Sequence, residues 1–372
     1  MELDLYLDKK GREYAPFDPS RAKVIYEKLK PYLPCLPLYK IHILGTNAKG
    51  STGRYLAQGF FQNKKTFLHF TSPHLFNFRE RFYKNGSIIL QEELENAHQF
   101  LQQFLFINDS SYFEYATFLA FVLSSDVDYL IMEAGLGGEF DSTSCIDYEM
   151  SIFTPISLDH QEFLGNSIQE IATTKLRAMS GDTFLANQTK KEVIEIAKKE
   201  ARRKNINLQI LQSNSNSKKN ESDFLQDNLF TAQEILKFLN LQPLQTNQLD
   251  QLRGRFEKIT ENITIDVGHN IDAAKAVKKN LGSKKVILIY NSYKDKDIFE
   301  ILKTLQQNII KVLIFPVLNS RIIEKEKLCK ILISLQIPYE DFSCIQKNEE
   351  YLVFGSFSLV QAFLEYESRC AK

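Results

Sequence analysis

The sequence predicts an α/β protein of two domains. The larger, N-terminal one is a P-loop-type, mostly parallel sheet with helices on both faces; the smaller, C-terminal one is a Rossmann-like α/β domain. Three observations carry this. Apolar runs of strand type alternate with helix-period segments along 372 residues, a length that suits two domains. One run, holding Ile41, Ile43 and Leu44, passes straight into the small-residue stretch Gly45-Thr46-Asn47-Ala48-Lys49-Gly50-Ser51-Thr52 and then into a helix-compatible segment with Tyr55, Leu56 and Phe60. A Gln/Asn/Pro-containing connector, Leu241 to Leu252, then separates two series of elements. The expected domains are residues 1–248 and 249–372.

Composition narrows the function. Lys+Arg and Asp+Glu both number 46, so the net charge of zero gives no support to nucleic-acid binding. The five cysteines are scattered with no C-x-x-C pair, as expected of reduced thiols in a cytoplasmic protein. The start, M-E-L-D-L-Y-L-D-K-K, lacks the basic and apolar regions of a signal peptide, and the apolar stretch around Tyr115 to Leu123 is too short to span a bilayer. The expectation is a monomer with small-molecule substrates, no nucleic acid and no membrane.

In chain order, residues 1–38 predict one helix, about Pro19 to Leu29, capped by Asp18 or Ser20. The strand, lysine-bearing loop and helix that follow are how a phosphate-binding loop is built. Glycines allow close approach, N–H groups at the helix start face the anion, and the lysine adds charge. The glycine follows Lys49 here, whereas G-x-x-x-x-G-K-[ST] places it before the lysine; a Gly-rich turn with a surface lysine is the plainer alternative. K-T-F-L-H-F reads as a strand ending at Thr71-Ser72-Pro73-His74-Leu75, and K-N-G as a turn. Helices are expected over Gln91–Phe106 and from Tyr112 through Leu123.

The strand Asp128 to Glu133 ends on a carboxylate ahead of Ala134-Gly135-Leu136-Gly137-Gly138. Such a carboxylate needs a partner, either a metal or phosphate site opened by the glycines or the N–H groups of the turn itself. The strand Met150 to Ile156 leads into Ser157-Leu158-Asp159-His160. Ser72, Glu133 and His160 thus follow three strands of one inferred sheet and converge on its carboxyl edge, where α/β proteins bind ligands. On residue chemistry alone the imidazole points to manganese or zinc. Ser167 to Met179 is a helix opened by a Ser167/Glu170 capping box, and it presents Lys175. A strand at Thr183–Ala186, a charged helix at Thr189–Lys204, a low-complexity loop at Ser213–Ser222 and a helix at Gln226–Leu239 complete the domain. Beyond the connector, a strand over Asn262–Ile265 ends in Asp266-Val267-Gly268-His269-Asn270. Strands and helices then alternate: 285–290, 297–305, 312–315, 324–335, 351–354 and 358–366.

G-T-N-A-K-G-S resembles G-T-N-G-K-G-S, the phosphate loop of folylpolyglutamate synthase and dihydrofolate synthase, ATP-dependent ligases related to the Mur ligases. The resemblance extends through T-S-P-H-L…R-E-R, E-A-G-L-G-G, L-D-H-Q-E-F-L-G, I-A-T-T-K, L-R-G-R-F-E, D-V-G-H-N and N-S-Y-K-D-K-D. It implies ATP and two Mg2+ sites. ATP phosphates would lie on Gly45, Thr46, Asn47, Lys49, Gly50, Ser51 and Thr52. Magnesium would be held by Ser72, Glu133 and His160, and a second ion by Lys175 carbamylated with carbon dioxide. Asn228 would contact adenine; Arg255 and Asp266 the nucleotide; His269 and Asn270 the nucleotide and the incoming L-glutamate. The acceptor would be dihydropteroate or a reduced folate, and the C-terminal domain would bind glutamate and clamp the nucleotide. Catalysis is expected to centre on Lys49, Lys175 and His160.

Ala48 departs from the family's glycine, harmlessly unless φ there is positive. Glu139 stands for an arginine, Phe140-Asp141-Ser142-Thr143-Ser144 for L-D-A-T-N, and Leu176-Arg177-Ala178 follows Lys175 in place of A-G-I. Val267 and Ile271 replace a glycine and a proline of D-G-A-H-N-P. The alternatives are a Mur-type UDP-sugar peptide ligase and a non-catalytic ATP-binding relative.

Overall fold

The computed structural model describes residues 2–11, 18–212, 224–247 and 249–370. The chain divides into two compact units between Asp250 and Gln251. The low-complexity stretch 213–222 lies outside the described residues.

The first unit runs α1 (Leu3–Lys10), α2 (Arg21–Leu29), β1 (Tyr39–Leu44), α3 (Lys49–Gln62), β2 (Phe67–Phe70), β3 (Phe82–Lys84), β4 (Ser87–Ile88), α4 (Gln91–Leu101), α5 (Tyr112–Leu123) and β5 (Tyr129–Glu133). It continues β6 (Met150–Phe153), α6 (Gln161–Leu164), α7 (Ile168–Leu176), β7 (Asp182–Leu185), α8 (Lys191–Lys204), β8 (Leu208–Ile210) and α9 (Phe224–Phe238). The eight strands among its described residues form one sheet in the order β4-β3-β2-β5-β1-β6-β7-β8. From β2 to β8 all neighbours are parallel, and the hairpin β3–β4 adds an antiparallel edge.

Parallel strands are buried on both faces, so their side chains sort by parity. Ile41, Ile43, Phe67 and Ile131 pack with Tyr55, Phe60 and Ile235 of α3 and α9. Leu68, Phe70, Leu130 and Met132 pack with α1, α2, α4 and α5 on the other face. Leu44, Phe153 and Leu185 meet α7 and α8.

Several expectations change. The described residues before β1 hold two helices; α1 buries Leu3, Tyr6 and Leu7 by tertiary packing of a weakly amphipathic segment. Asp18, and not Ser20, accepts the N–H groups of Ser20 and Arg21 at the start of α2. The helix expected to reach Phe106 stops at Leu101, and Leu105–Asp109 is a 3-10 segment. The Ser167/Glu170 box forms at α7: Glu170 N–H donates to Ser167 Oγ at 3.2 Å and Ser167 N–H to Glu170 Oε2 at 3.0 Å.

The second unit runs β9 (Glu257–Lys258), β10 (Ile263–Asp266), α10 (Ile271–Leu281), β11 (Val286–Tyr290), α11 (Ile298–Leu305), β12 (Ile309–Ile314), α12 (Lys325–Ser334), β13 (Tyr339–Asp341), β14 (Tyr351–Phe354) and α13 (Phe357–Cys370). Its sheet is β13-β12-β11-β14-β10-β9, parallel except for β9. Sequence periodicity missed α10, β13 and the short strands β8 and β9. Among the described residues no helix is long and apolar enough to cross a membrane.

Candidate active site

In the first unit β2, β5, β1 and β6 are adjacent parallel strands, so the four segments leaving them emerge at one edge. These segments are Thr71–Leu75, Ala134–Gly138, Gly45–Ala48 and Thr154–His160. The loop after β1 is tied to the segment after β6. Thr46 N–H and Asn47 N–H both donate to Pro155 O, at 2.9 and 3.3 Å. Thr46 Oγ1 donates to Ser157 O and accepts from Ser157 N–H. Thr154 Oγ1 donates to Asn47 O at 2.7 Å. Gly45 has φ +147°, and a Cβ there would lie 2.0 Å from Thr154 Oγ1, so the loop requires glycine.

Lys49, Gly50, Ser51 and Thr52 form the first turn of α3, whose leading N–H groups lack intrahelical partners, the arrangement that binds anions. Ala48 takes φ +69°, ψ 0°, so the condition under which alanine is not harmless is met. Left-handed backbone costs a non-glycine residue about 1–2 kcal/mol. Ala48→Gly should recover this, less about 0.4–1 kcal/mol of added unfolded-chain entropy. The urea midpoint should therefore rise, by an amount worth up to about 1.6 kcal/mol; a lower midpoint would show that the loop absorbs the strain.

Glu133 ends β5 and is only 4% exposed. Its Oε2 accepts from Thr71 Oγ1 and, at 3.3 Å, from Ser72 N–H; its Oε1 lies 3.9 Å from Lys49 Nζ. The carboxylate thus has partners from the β2 end and from the phosphate loop. Lys49 Nζ also donates to Thr46 O at 3.3 Å.

Lys175 reaches the same loop from α7. It is 5% exposed and donates to Gly45 O at 2.9 Å and Gly137 O at 3.5 Å. Burial, reinforced by the Lys49 charge and opposed by Asp159 and Asp141, lowers its amine to about 7. The turn after β5 lies directly on this helix. Glu139 N–H donates to Thr174 O, and a Cβ on Gly138 would sit 2.7 Å from Lys175 Cα. Two positions that depart from the family pattern meet here, Glu139 Oε2 being 3.3 Å from Arg177 Nη1. Asp141 fastens the turn by accepting from Leu136 N–H and Thr143 N–H, and burial raises its carboxyl above the usual range.

His160 begins α6 with φ +52°, and its N–H donates to Asp159 Oδ1 at 2.8 Å. Ser72, Glu133 and Lys49 are therefore in direct contact, Lys175 joins them through Gly45, and His160 lies on the same edge. Among the described residues no group of three or more His, Cys, Asp or Glu is placed to hold a metal. The closed cage that zinc takes is therefore not formed there. The buried Glu133 carboxylate beside the phosphate loop is the kind of oxygen ligand magnesium takes, an ion that keeps waters and substrate phosphates in its shell and does not favour imidazole. Asn228 is buried within α9.

In the second unit Asp266 ends β10 and accepts from Phe256 N–H at 2.9 Å and Gly268 N–H at 2.7 Å. Burial raises its carboxyl, opposed by those bonds and by Arg255. Arg255 lies over the Phe357 ring, 5.2 Å from its centroid. His269 Nδ1 donates to Val267 O at 3.1 Å. Asn270 uses its side-chain oxygen to cap α10, accepting from Ala273 N–H.

Sequence reasoning missed the polar side chains of α3 beyond its first turn. Arg54, Gln58, Gln62 and Asn63 bind the connector, and the four-residue spacing of the first three along the helix was the available signal.

Residues 43–257 match the model of the Mur ligase middle domain. The crystal structure of Helicobacter pylori folylpolyglutamate synthetase is 41% identical, with 99% of this chain and 98% of that one covered and a TM-score of 0.79. The dihydrofolate synthase/folylpolyglutamate synthase of Buchnera aphidicola subsp. Acyrthosiphon pisum is 29% identical over 87% of this chain and 88% of its own length. The bifunctional folylpolyglutamate synthase/dihydrofolate synthase of Yersinia pestis, complexed with AMPPNP and Mn ion, shares the fold at 21% identity, with coverage of 99% and 98% and a TM-score of 0.82. With more than half of the chain inside the domain match and 41% identity over nearly all of a solved relative, this protein belongs to the Mur ligase family, in its folylpolyglutamate synthase/dihydrofolate synthase branch.

Proposed function

We propose that this protein is an ATP-dependent, ADP-forming ligase that joins L-glutamate to dihydropteroate, a reduced folate, or both. One observation carries the reading: Lys49, Glu133, Ser72 and Lys175 gather around the loop that opens α3. An acceptor carboxylate is too poor an electrophile for an amine. Attack of its oxygen on the γ-phosphorus of ATP expels ADP and gives an acyl phosphate. The glutamate amine then adds to the acyl carbon, loses a proton and expels phosphate.

The protein's part is positioning and charge neutralisation, with no protein nucleophile. The first turn of α3 and Lys49 bind and orient the phosphates. Ser72, Glu133 and His160 would hold one Mg2+ and a carbamylated Lys175 a second; bound there, the ions neutralise charge on the transferring phosphoryl group. An amine lowered to about 7 is substantially neutral at physiological pH, the form that adds carbon dioxide. Asn228 would contact the adenine; Arg255, Asp266, His269 and Asn270 are the proposed nucleotide and glutamate groups of the second unit. Domains at 1–248 and 249–372, a cytoplasmic location and a monomeric state belong to the same reading.

The test is an assay with ATP, Mg2+, bicarbonate and L-glutamate, offering dihydropteroate and tetrahydrofolate separately and reading products by mass. A gain of one glutamyl residue on either acceptor is expected. A gain on both marks a bifunctional enzyme. ADP binding with no product on either acceptor would favour the non-catalytic relative.

A further inference from the structure

Helix α3 is buried along most of its length, yet one side of it carries polar residues at four-residue spacing, Arg54, Gln58 and Gln62, with Asn63 at its end. Arg54 and Gln58 are buried against the connector, and Gln62 and Asn63 reach it at the surface. Gln58 Nε2 donates to Asp250 O at 2.6 Å and Gln58 Oε1 accepts from Asp250 N–H at 2.8 Å. Gln62 repeats the two-way pairing with Gln245, at 3.2 and 2.8 Å. Asn63 repeats it with Gln242, at 3.0 and 2.8 Å. Three side-chain amides thus imitate the backbone of a neighbouring strand. Arg54 Nη1 adds an ion pair to Asp250 Oδ2 at 3.0 Å, with its guanidinium over the Tyr83 ring, 3.7 Å from the centroid. Leu241, Leu244 and Leu249 of the connector pack into the same core as α3. Asp250 is also the last residue of the first unit.

We propose that Arg54, Gln58, Gln62 and Asn63 are positioning residues that make the connector one body with the phosphate-loop helix. Phosphates held at the start of α3 then fix the point at which the chain leaves the first unit. The inference rests on the nucleotide reading above. The physical reason is direct. An anion at the N-terminus orders the helix, and the ordered helix holds three peptide groups of the connector at fixed spacing. Coupling of this kind is reciprocal for binding: whatever ADP does to the closing of the connector, closing does to ADP affinity.

The experiment uses the intact protein, with hydrogen exchange of peptides spanning 241–252 read by mass spectrometry, and ADP binding read by calorimetry. In the parent protein, ADP should slow exchange at Gln242, Gln245 and Asp250 about tenfold. Gln58→Met keeps length and burial but removes one pairing; the surface pair Gln62→Ala with Asn63→Ala removes the other two and threatens folding least. Both variants should lose the ADP effect at the connector and raise the Kd for ADP by a similar factor. A purely structural role would lower Tm and leave that Kd unchanged. Connector exchange indifferent to ADP in the parent, or an unchanged Kd in both variants, overturns the inference while leaving the nucleotide reading intact. A parent protein that binds no ADP overturns the nucleotide reading, and this inference with it.

Discussion

Glu133→Gln should lower kcat about 10²–10³-fold, the scale seen when one preorganised electrostatic group is lost from a transition state. The change keeps the side chain's shape, and an amide oxygen can still accept from Thr71 Oγ1 and Ser72 N–H as Oε2 does now. What disappears is the negative charge, 3.9 Å from the Lys49 ammonium and at the end of a buried strand. If that charge binds magnesium, the Mg2+ concentration giving half-maximal rate should rise at least about tenfold. If it only balances Lys49, kcat should fall with no change in magnesium demand. Full activity in the variant would remove Glu133 from the metal site altogether. The domain should still fold, because the residues packed around β5 are otherwise unaltered.

How much of this site was legible in the sequence depended on distance along the chain. The loop after β1, the Ser167/Glu170 cap and the alignment of Ser72, Glu133 and His160 on one edge follow from local pattern and from the rule that parallel strands point the same way. The positive φ of Ala48 was not legible, since the bonds that hold the loop just before it, from Thr46 and Asn47 to Thr154 and Pro155, come from another strand. Nor was the meeting of Glu139 with Arg177, which needs the turn after β5 to lie on α7. Read singly, the two looked like losses from a motif; together they are an ion pair beside Lys175. The role of the polar side of α3 was not legible for the same reason. Its partners lie roughly 180–200 residues on, and only the return of the connector shows them.

The histidines of the first sheet were read past altogether, and they predict its response to acid. His42 alternates with Ile41 and Ile43 on β1, is 1% exposed, and stacks on Tyr148 with ring centroids 4.3 Å apart. Thr143 Oγ1 gives its one proton to Asp141 Oδ1, so it accepts from His42 Nε2–H at 2.8 Å; the ring is held neutral with its proton on Nε2. Burial lowers its pKa from 6.5 to about 3. Above pH 6.5 both folded and unfolded chains carry the neutral ring. As pH falls below 6.5 the unfolded chain takes up a proton that the folded chain refuses, so stability is lost from there down to about pH 3. The full loss is about 5 kcal/mol, of which about 2 kcal/mol appears between pH 7.5 and 5. His69, fully buried on β2 and also held neutral by burial, pushes the same way. Urea unfolding of the parent protein should therefore show a steep drop between pH 7.5 and 5. His42→Phe, which retains a ring against Tyr148, should be less stable at pH 7.5 for want of the hydrogen bond, yet lose about 2 kcal/mol less on acidification. Equal losses in parent and variant would mean that His42 takes up its proton in the folded protein, and that the sheet opens there before it unfolds.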